Sequence, residues 1–161
     1  MKNWIDLRAT IRLTGLCLLV AGCQTTEPDA QPDEPFVKPA NFPEPVYALD
    51  KNRPTTAGML LGRALFYDGI LSRDGTISCA ECHNQTYAFT HHQHDVSHGI
   101  DNKVGTRNSM PLQNLAWETN FFWDGGVHDL DLVPIAPIEN PVEMDETSTN
   151  VIQKLRKSPN Y

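Results

Sequence analysis

Ser78-Cys79-Ala80-Glu81-Cys82-His83 is the stretch on which the fold turns. Two cysteines separated by two residues and followed at once by histidine make the usual attachment site for a c-type haem. The thiols add to the two vinyl groups as thioethers, and the imidazole becomes the axial iron ligand. That geometry asks for one helical turn. Ser78 at the N-cap with Glu81 three residues on has the pattern of a capping box, which predicts a turn holding Cys79, Cys82 and His83 in one short arc. A thiol-redox pair would follow a strand in a βαβ unit, and a zinc site would need a second ligand pair. The nearest other cysteine, Cys23, lies far upstream.

Cys17 and Cys23 fall in a segment of different character. Lys2, Arg8 and Arg12 precede an apolar run from Leu13 to Gly22. The run is shorter than the about 20 apolar residues a spanning helix needs, so residues 1–22 read as an export signal. Val20-Ala21-Gly22-Cys23 resembles a bacterial lipobox, which would make Cys23 a lipidation site and the membrane a partner. Haem attachment of this kind takes place outside the cytoplasm, so the expected location is the periplasm. Gln24 after Cys23 favours the outer membrane. Residues 23–50, rich in proline and acidic side chains, read as a lipid-anchored tether unable to order itself. A haem domain is expected over residues 51–161, with order beginning at Thr55 or Thr56.

Charge narrows the partners. The segment 1–22 holds three of the 13 basic and one of the 20 acidic residues, which leaves 10 against 19, a formal charge of −9. Phosphate binding needs the opposite sign, so nucleic acid is excluded as a partner. A basic electron-donor protein would be drawn to such a surface.

Local patterns place the elements. A helix capped by Thr55 or Thr56 is predicted to run to about Phe66, with Ala57, Leu60, Leu61, Ala64 and Leu65 on one face. Asp68-Gly69 ends it in a turn, and residues 72–77 form a loop into the haem turn. After His83 periodicity is lost. His91, His92, His94 and His98 crowd that loop, and they read as solvated histidines above a haem edge, because no cysteine or carboxylate partners stand at ligand spacing. A short helix is predicted from Met110 to Trp117. Phe121, Phe122 and Trp123 form an aromatic cluster expected to pack in the core or wall the haem. Pro134, Pro137 and Pro141 break the next segment, and a last helix runs from a cap at Thr147 or Ser148 to about Lys157. The fold class is all-α, a small cytochrome-c-like haem domain with long irregular loops.

Five stretches then resemble the N-terminal haem domain of bacterial di-haem cytochrome c peroxidases, a family that includes the di-haem enzyme of methylamine utilisation. They are Leu61-Gly62-Arg63-Ala64-Leu65-Phe66-Tyr67-Asp68, the motif at 79–83, Gly105-Thr106-Arg107-Asn108-Ser109, Phe122-Trp123-Asp124-Gly125, and Pro137-Ile138-Glu139-Asn140-Pro141-Val142-Glu143-Met144. The resemblance implies haem c as cofactor, hydrogen peroxide as substrate, and a small c-type cytochrome or blue-copper protein as electron donor. It implies that His83 is the proximal ligand of the peroxidatic haem and that Glu143 is the distal carboxylate. It also implies that Trp123 stands between two haems, that Arg107 orders the pocket, and that Asn108 contributes to a calcium site.

Where such relatives place a distal histidine this chain has Ile100, with His98 two residues earlier, so an open haem is the expectation. Gly126 and Asp131-Leu132-Val133 also depart from the pattern. A second haem domain has no counterpart here, and the chain reads as a truncated or partial form with weak turnover by itself. The competing reading is a mono-haem electron carrier with Met144, or the nearer Met110, as distal ligand.

Overall fold

A computed structural model describes residues 35–91 and 94–161. These all fall within one compact unit, Asp33–Tyr161. The proposed signal, the lipobox with Cys23, the first part of the tether, and His92 lie outside the described residues.

Helix α1, Thr56–Tyr67, starts where Thr55 Oγ1 accepts the Gly58 N–H at 3.0 Å and ends at Asp68. The Asp68 carboxylate accepts the Ile70 N–H at 2.9 Å and opens a 3₁₀ turn, Gly69–Leu71. Helix α2 is the single turn Cys79–Cys82, and α3 is Ile135–Glu139. Helix α4, Ser148–Lys157, is capped by Thr147, which accepts the Asn150 N–H, and closes with Lys154, Arg156 and Lys157 beside its negative dipole end. Among the described residues β-pairing is limited to isolated bridges, Asn84–Thr90, His98–Val104 and Phe121–Val127, each closing a loop. The domain is all-α, as expected.

The core is small. Leu71, Met144 and Val151 are buried together, with Leu65, Ile70, Ile77, Ile138 and Leu155 packed around them. Burying Val151 on the inner face of α4 stabilises the helix by roughly 1.5–3 kcal/mol relative to leaving that side chain in water. Ile100 and Phe121 are buried elsewhere in the unit. The apolar stripe of α1 behaves otherwise: of its residues Leu65 is half-buried, while Leu60 is 65% and Leu61 49% exposed. Leu65 alone of the stripe packs on the core, while Ala57, Leu60, Leu61 and Ala64 face solvent.

Three expectations change. The stretch 110–117 is not one helix: only Leu115–Trp117 forms a 3₁₀ turn, because Pro111 lacks an N–H and Asn114 sits at φ 61°. Ser78 is the N-cap of α2, yet its side chain makes no capping hydrogen bond; the capping box does not form. Order also begins well before Thr55. Trp117 packs against Phe36 and Phe42 with ring centroids 6.0 and 4.8 Å away, and its indole N–H donates to the Pro43 carbonyl at 3.0 Å. The Val46 and Tyr47 N–H groups both donate to the Ala116 carbonyl, and Asn52 donates to the Asp131 carboxylate. An aromatic anchor and long-range hydrogen bonds thus order residues 35–50, which the prolines alone would leave as tether.

Candidate functional site

One turn of helix carries the two thiols and delivers the imidazole. The His83 N–H donates to the Cys79 carbonyl at 2.8 Å, so Cys79, Cys82 and His83 share one arc. Burial pushes the Cys79 thiol above its ordinary value. It pushes Cys82 up to about 11, with the Glu143 carboxylate adding to the effect. Both therefore stay protonated near neutral pH, unlike the thiolates of redox Cys-x-x-Cys sites.

The loop after His83 fixes the ring. Ala88 and Phe89 both adopt left-handed backbone, at φ 57° and 58°, a conformation that persists only where the surroundings hold it. The Phe89 N–H on the Asn84 carbonyl and the Gln113 amide on the Ala88 carbonyl, at 2.9 and 2.8 Å, supply that hold. The Phe89 carbonyl then lies 2.9 Å from His83 Nδ1. A carbonyl can only accept, so Nδ1 carries the proton and the lone pair is on Nε2. Burial lowers the imidazole's pKa, against the backbone hydrogen bonds of Phe89 and Met110, and keeps the ring neutral. This is the tautomer and charge an iron ligand needs.

Glu143 is brought to the same place from far along the chain. Asn140 organises its turn: the Glu143 and Asp145 N–H groups both donate to the Asn140 carbonyl at 3.0 Å, and Asn140 Nδ2 donates to Glu143 Oε1 at 2.7 Å. The turn docks on residues 98–100. The Ile100 N–H donates to the Glu143 carbonyl at 2.7 Å, and a Cβ on Gly99 would stand 2.2 Å from the Val142 carbonyl oxygen, so only glycine fits there. The neighbouring His98 carbonyl is 3.5 Å from Cys82 Sγ. Burial raises the Glu143 carboxyl above the usual carboxylate range, and the Asn140 hydrogen bond opposes it. Asn140, Gly99 and Phe89 position the site, a role the sequence pattern assigns to none of them: Asn-Pro and the glycine beside His98 signal turns only, and Phe89 carries no signal.

The remaining candidates form a second group. Arg107 pairs with Asp124 at 2.8 Å, and the Trp123 indole N–H donates to the Asn108 carbonyl at 2.8 Å, tying residues 107–108 to 123–124. The aromatic cluster splits: Phe121 is buried, whereas Trp123 is 63% exposed. Asn108 clamps the histidine loop, its carboxamide oxygen accepting the His91 N–H and its NH₂ donating to the His94 carbonyl, both at 3.2 Å. His91, His94 and His98 gather their rings 4.8–5.8 Å apart, and His91 and His98 are half-buried rather than solvated. Among the described residues no group of three or more His, Cys, Asp or Glu is arranged to hold a metal ion. The Asn108 side chain is committed to holding this loop. Neither methionine suits an axial role: Met144 is 3% exposed within the core, and Met110 Sδ accepts the Phe122 N–H at 3.2 Å.

A sequence model of the family described as di-haem cytochrome c peroxidase matches residues 56–161. The chain belongs to this family. Among curated relatives, the methylamine utilization protein MauG of Methylorubrum extorquens is 35% identical over 149 residues, covering 88% of this chain and 40% of the relative. The cytochrome c551 peroxidase of Pseudomonas aeruginosa is 34% identical over 148 residues, covering 91% of this chain and 42% of the relative. The chain thus spans about two-fifths of the length of these relatives. A solved structure of a MauG-like protein associated with microbial copper homeostasis superposes with a TM-score of 0.69 at 29% identity, over 78% of this chain and 37% of that one.

The family's cofactor is haem c, and the residues present fit it. Cys79 and Cys82 are not joined in a disulfide, both thiols are protonated, and His83 is neutral with its lone pair on Nε2. Two clefts of about 270 and 250 Å³ lie away from these residues, the first against Phe36 and Arg53 and the second against Tyr47 and His128. The chemistry sits instead where α2 and the loop after it meet the turn at residues 140–146.

Proposed function

We propose that this chain is the peroxide-reducing haem domain of a cytochrome c peroxidase. It would convert hydrogen peroxide, two protons and two electrons to two waters, with the electrons drawn from a small c-type cytochrome or blue-copper protein. The observation that carries this reading is the half-buried carboxyl of Glu143, held by Asn140 and set beside Cys82 by the docking of residues 98–100.

Haem, when bound through Cys79, Cys82 and His83, supplies the iron at which the peroxide bond is reduced. The protein's part is proton transfer and order. A carboxylate within reach of both peroxide oxygens takes the proton from one and returns it to the other as the bond breaks. Asn140 occupies Oε1, so the proton travels on Oε2. A raised pKa keeps base and acid forms close in energy, as a shuttle requires. Arg107 and Asn108 hold Trp123 in place, and its exposed ring is suited to an electron route into the domain. Export by the 1–22 signal and lipidation at Cys23 would place the domain at the periplasmic face of a membrane, with the outer membrane favoured. There the −9 charge of residues 23–161 attracts a basic donor.

The test uses the haem-loaded chain in single turnover. The chain carries one Cys-x-x-Cys-His motif, so rapid mixing of reduced protein with hydrogen peroxide is more direct than steady-state cycling. Glu143→Gln keeps the shape and removes the base. Its rate should fall by about 10²- to 10⁴-fold, the usual worth of a positioned acid–base group. A Glu143→Gln rate within about threefold of the parent would exclude the shuttle.

A further inference from the structure

The charged groups around Arg73 are accounted for neither by haem attachment nor by proton transfer. Arg73 lies on the loop that leads into α2. Its N–H donates to the Met144 carbonyl at 2.9 Å, and its own carbonyl accepts Lys154 Nζ at 3.2 Å, so its backbone is anchored on the core side. Its guanidinium reaches outward. Nη2 donates to Asp101 Oδ2 at 2.7 Å, and Nη1 donates to Asp145 Oδ2. Lys103 completes the group, 3.9 Å from the Asp101 carboxylate and 3.8 Å from that of Asp145, while its Nζ donates to the Pro141 carbonyl at 2.8 Å.

The two carboxylates occupy special positions. Asp101 and Asp145 both adopt left-handed backbone, at φ 54° and 50°, and such residues need outside contacts to stay there. Asp101 follows Ile100, whose N–H holds the Glu143 carbonyl. Asp145 donates its N–H to the Asn140 carbonyl, and Asn140 holds the Glu143 carboxyl. One guanidinium therefore steadies both strained residues that flank the docking of Glu143. Exposed ion pairs taken singly contribute little. A planar fork that bridges two carboxylates on separate segments is a different device, and an ammonium cannot copy it.

We infer that Arg73 is a positioning residue for Glu143, fixing the 140–146 turn against residues 99–101 by bridging Asp145 and Asp101. The inference rests on the proton-shuttle reading of Glu143, but its structural half can be measured apart from that reading.

The experiment compares Arg73→Ala and Arg73→Lys, each in the parent and in the Glu143→Gln background, as haem-loaded chains. One readout is amide hydrogen exchange at Ile100 and Asp145; the other is the single-turnover rate against peroxide concentration. Arg73→Ala should speed exchange at both amides by about tenfold or more, as local opening becomes easier. It should lower the limiting rate by about tenfold with less than about a twofold change in half-saturation, and Arg73→Lys should restore less than half of the loss. In the Glu143→Gln background Arg73→Ala should have no further effect on rate, since the group it positions is gone. Unchanged exchange at Ile100 and Asp145 in a folded variant would overturn the inference, as would an equal loss of rate in both backgrounds. Should Arg73→Ala fail to fold, Asp101→Asn removes one arm of the fork and carries the same expectation at the Ile100 amide. A Glu143→Gln variant of full activity would sink the shuttle, while the exchange data would still decide whether Arg73 holds the turn.

Discussion

Replacing Gly99 by alanine adds one methyl group at the most crowded backbone contact near Glu143. The new Cβ would lie 2.2 Å from the Val142 carbonyl oxygen and 2.6 Å from both Glu143 Cα and its carbonyl oxygen. Ordinary contact begins at 3.4 Å, so the two segments must part by about 1.2 Å, the difference between 3.4 and 2.2. Backbone atoms cannot turn aside as a side chain would. An opening of that size along the Ile100 N–H to Glu143 carbonyl bond would stretch it from 2.7 Å to about 3.9 Å, beyond hydrogen-bonding range. Overpacking of this kind costs about 1–3 kcal/mol, and the lost hydrogen bond adds about 1 kcal/mol. The total of about 2–4 kcal/mol corresponds to a drop in melting temperature of roughly 8–16 °C for a domain of this size. Thermal unfolding of the haem-loaded Gly99→Ala protein, with amide exchange at Ile100, measures both consequences. A melting point within about 2 °C of the parent and an equally protected Ile100 amide would show that residues 99–100 do not seat Glu143.

Other glycines and carboxylates respond differently. A Cβ on Gly62 meets nothing within 4 Å, and Gly62 lies inside α1, so Gly62→Ala should stabilise the domain by about 0.5–1 kcal/mol through the helix alone; a lower denaturation midpoint in urea would contradict this. Glu146 is 6% exposed and held well below its usual value of 4.5, first by the hydrogen bond from Lys154. Its contribution is therefore complete above that usual value and is lost as pH falls towards the depressed one, because there the unfolded chain binds the proton first. Glu146→Gln should lower stability at neutral pH and flatten that part of the acid limb, and parallel curves for variant and parent below pH 4.5 would refute the assignment.

The parts legible in the sequence are those set by neighbours in the chain. Thr55 and Thr147 are helix caps because each hydroxyl needs only an N–H three residues on. The Cys79–His83 turn is legible for the same reason, since its spacing is itself the geometry. Cysteine spacing alone points to a haem protein, and charge excludes nucleic acid as a partner, without any knowledge of tertiary contacts. Even at this range the signal can mislead: Ser78 begins the turn without capping it, and Leu60 and Leu61 show the periodicity of a buried face yet remain open to solvent.

Distant contacts decided the rest. Pro-rich residues 35–50 carry no local pattern, yet Trp117 collects Phe36, Phe42 and Pro43 around one indole and orders them. Met144 could stand as a haem ligand on paper; in the fold it fills the core beside Leu71 and Val151. The side-chain identities that allow haem attachment, Cys79, Cys82 and His83, were determined by the sequence alone. What only tertiary structure decided is the company they keep: the Glu143 carboxylate acts electrostatically on Cys82 because Asn140 bends its turn, Gly99 leaves room for it and the Ile100 amide catches its carbonyl. Capping and spacing act over a few residues and leave a trace in the string of letters. Pairing of backbone groups from opposite ends of a domain depends on how the chain returns to itself, and no short stretch of sequence encodes that path.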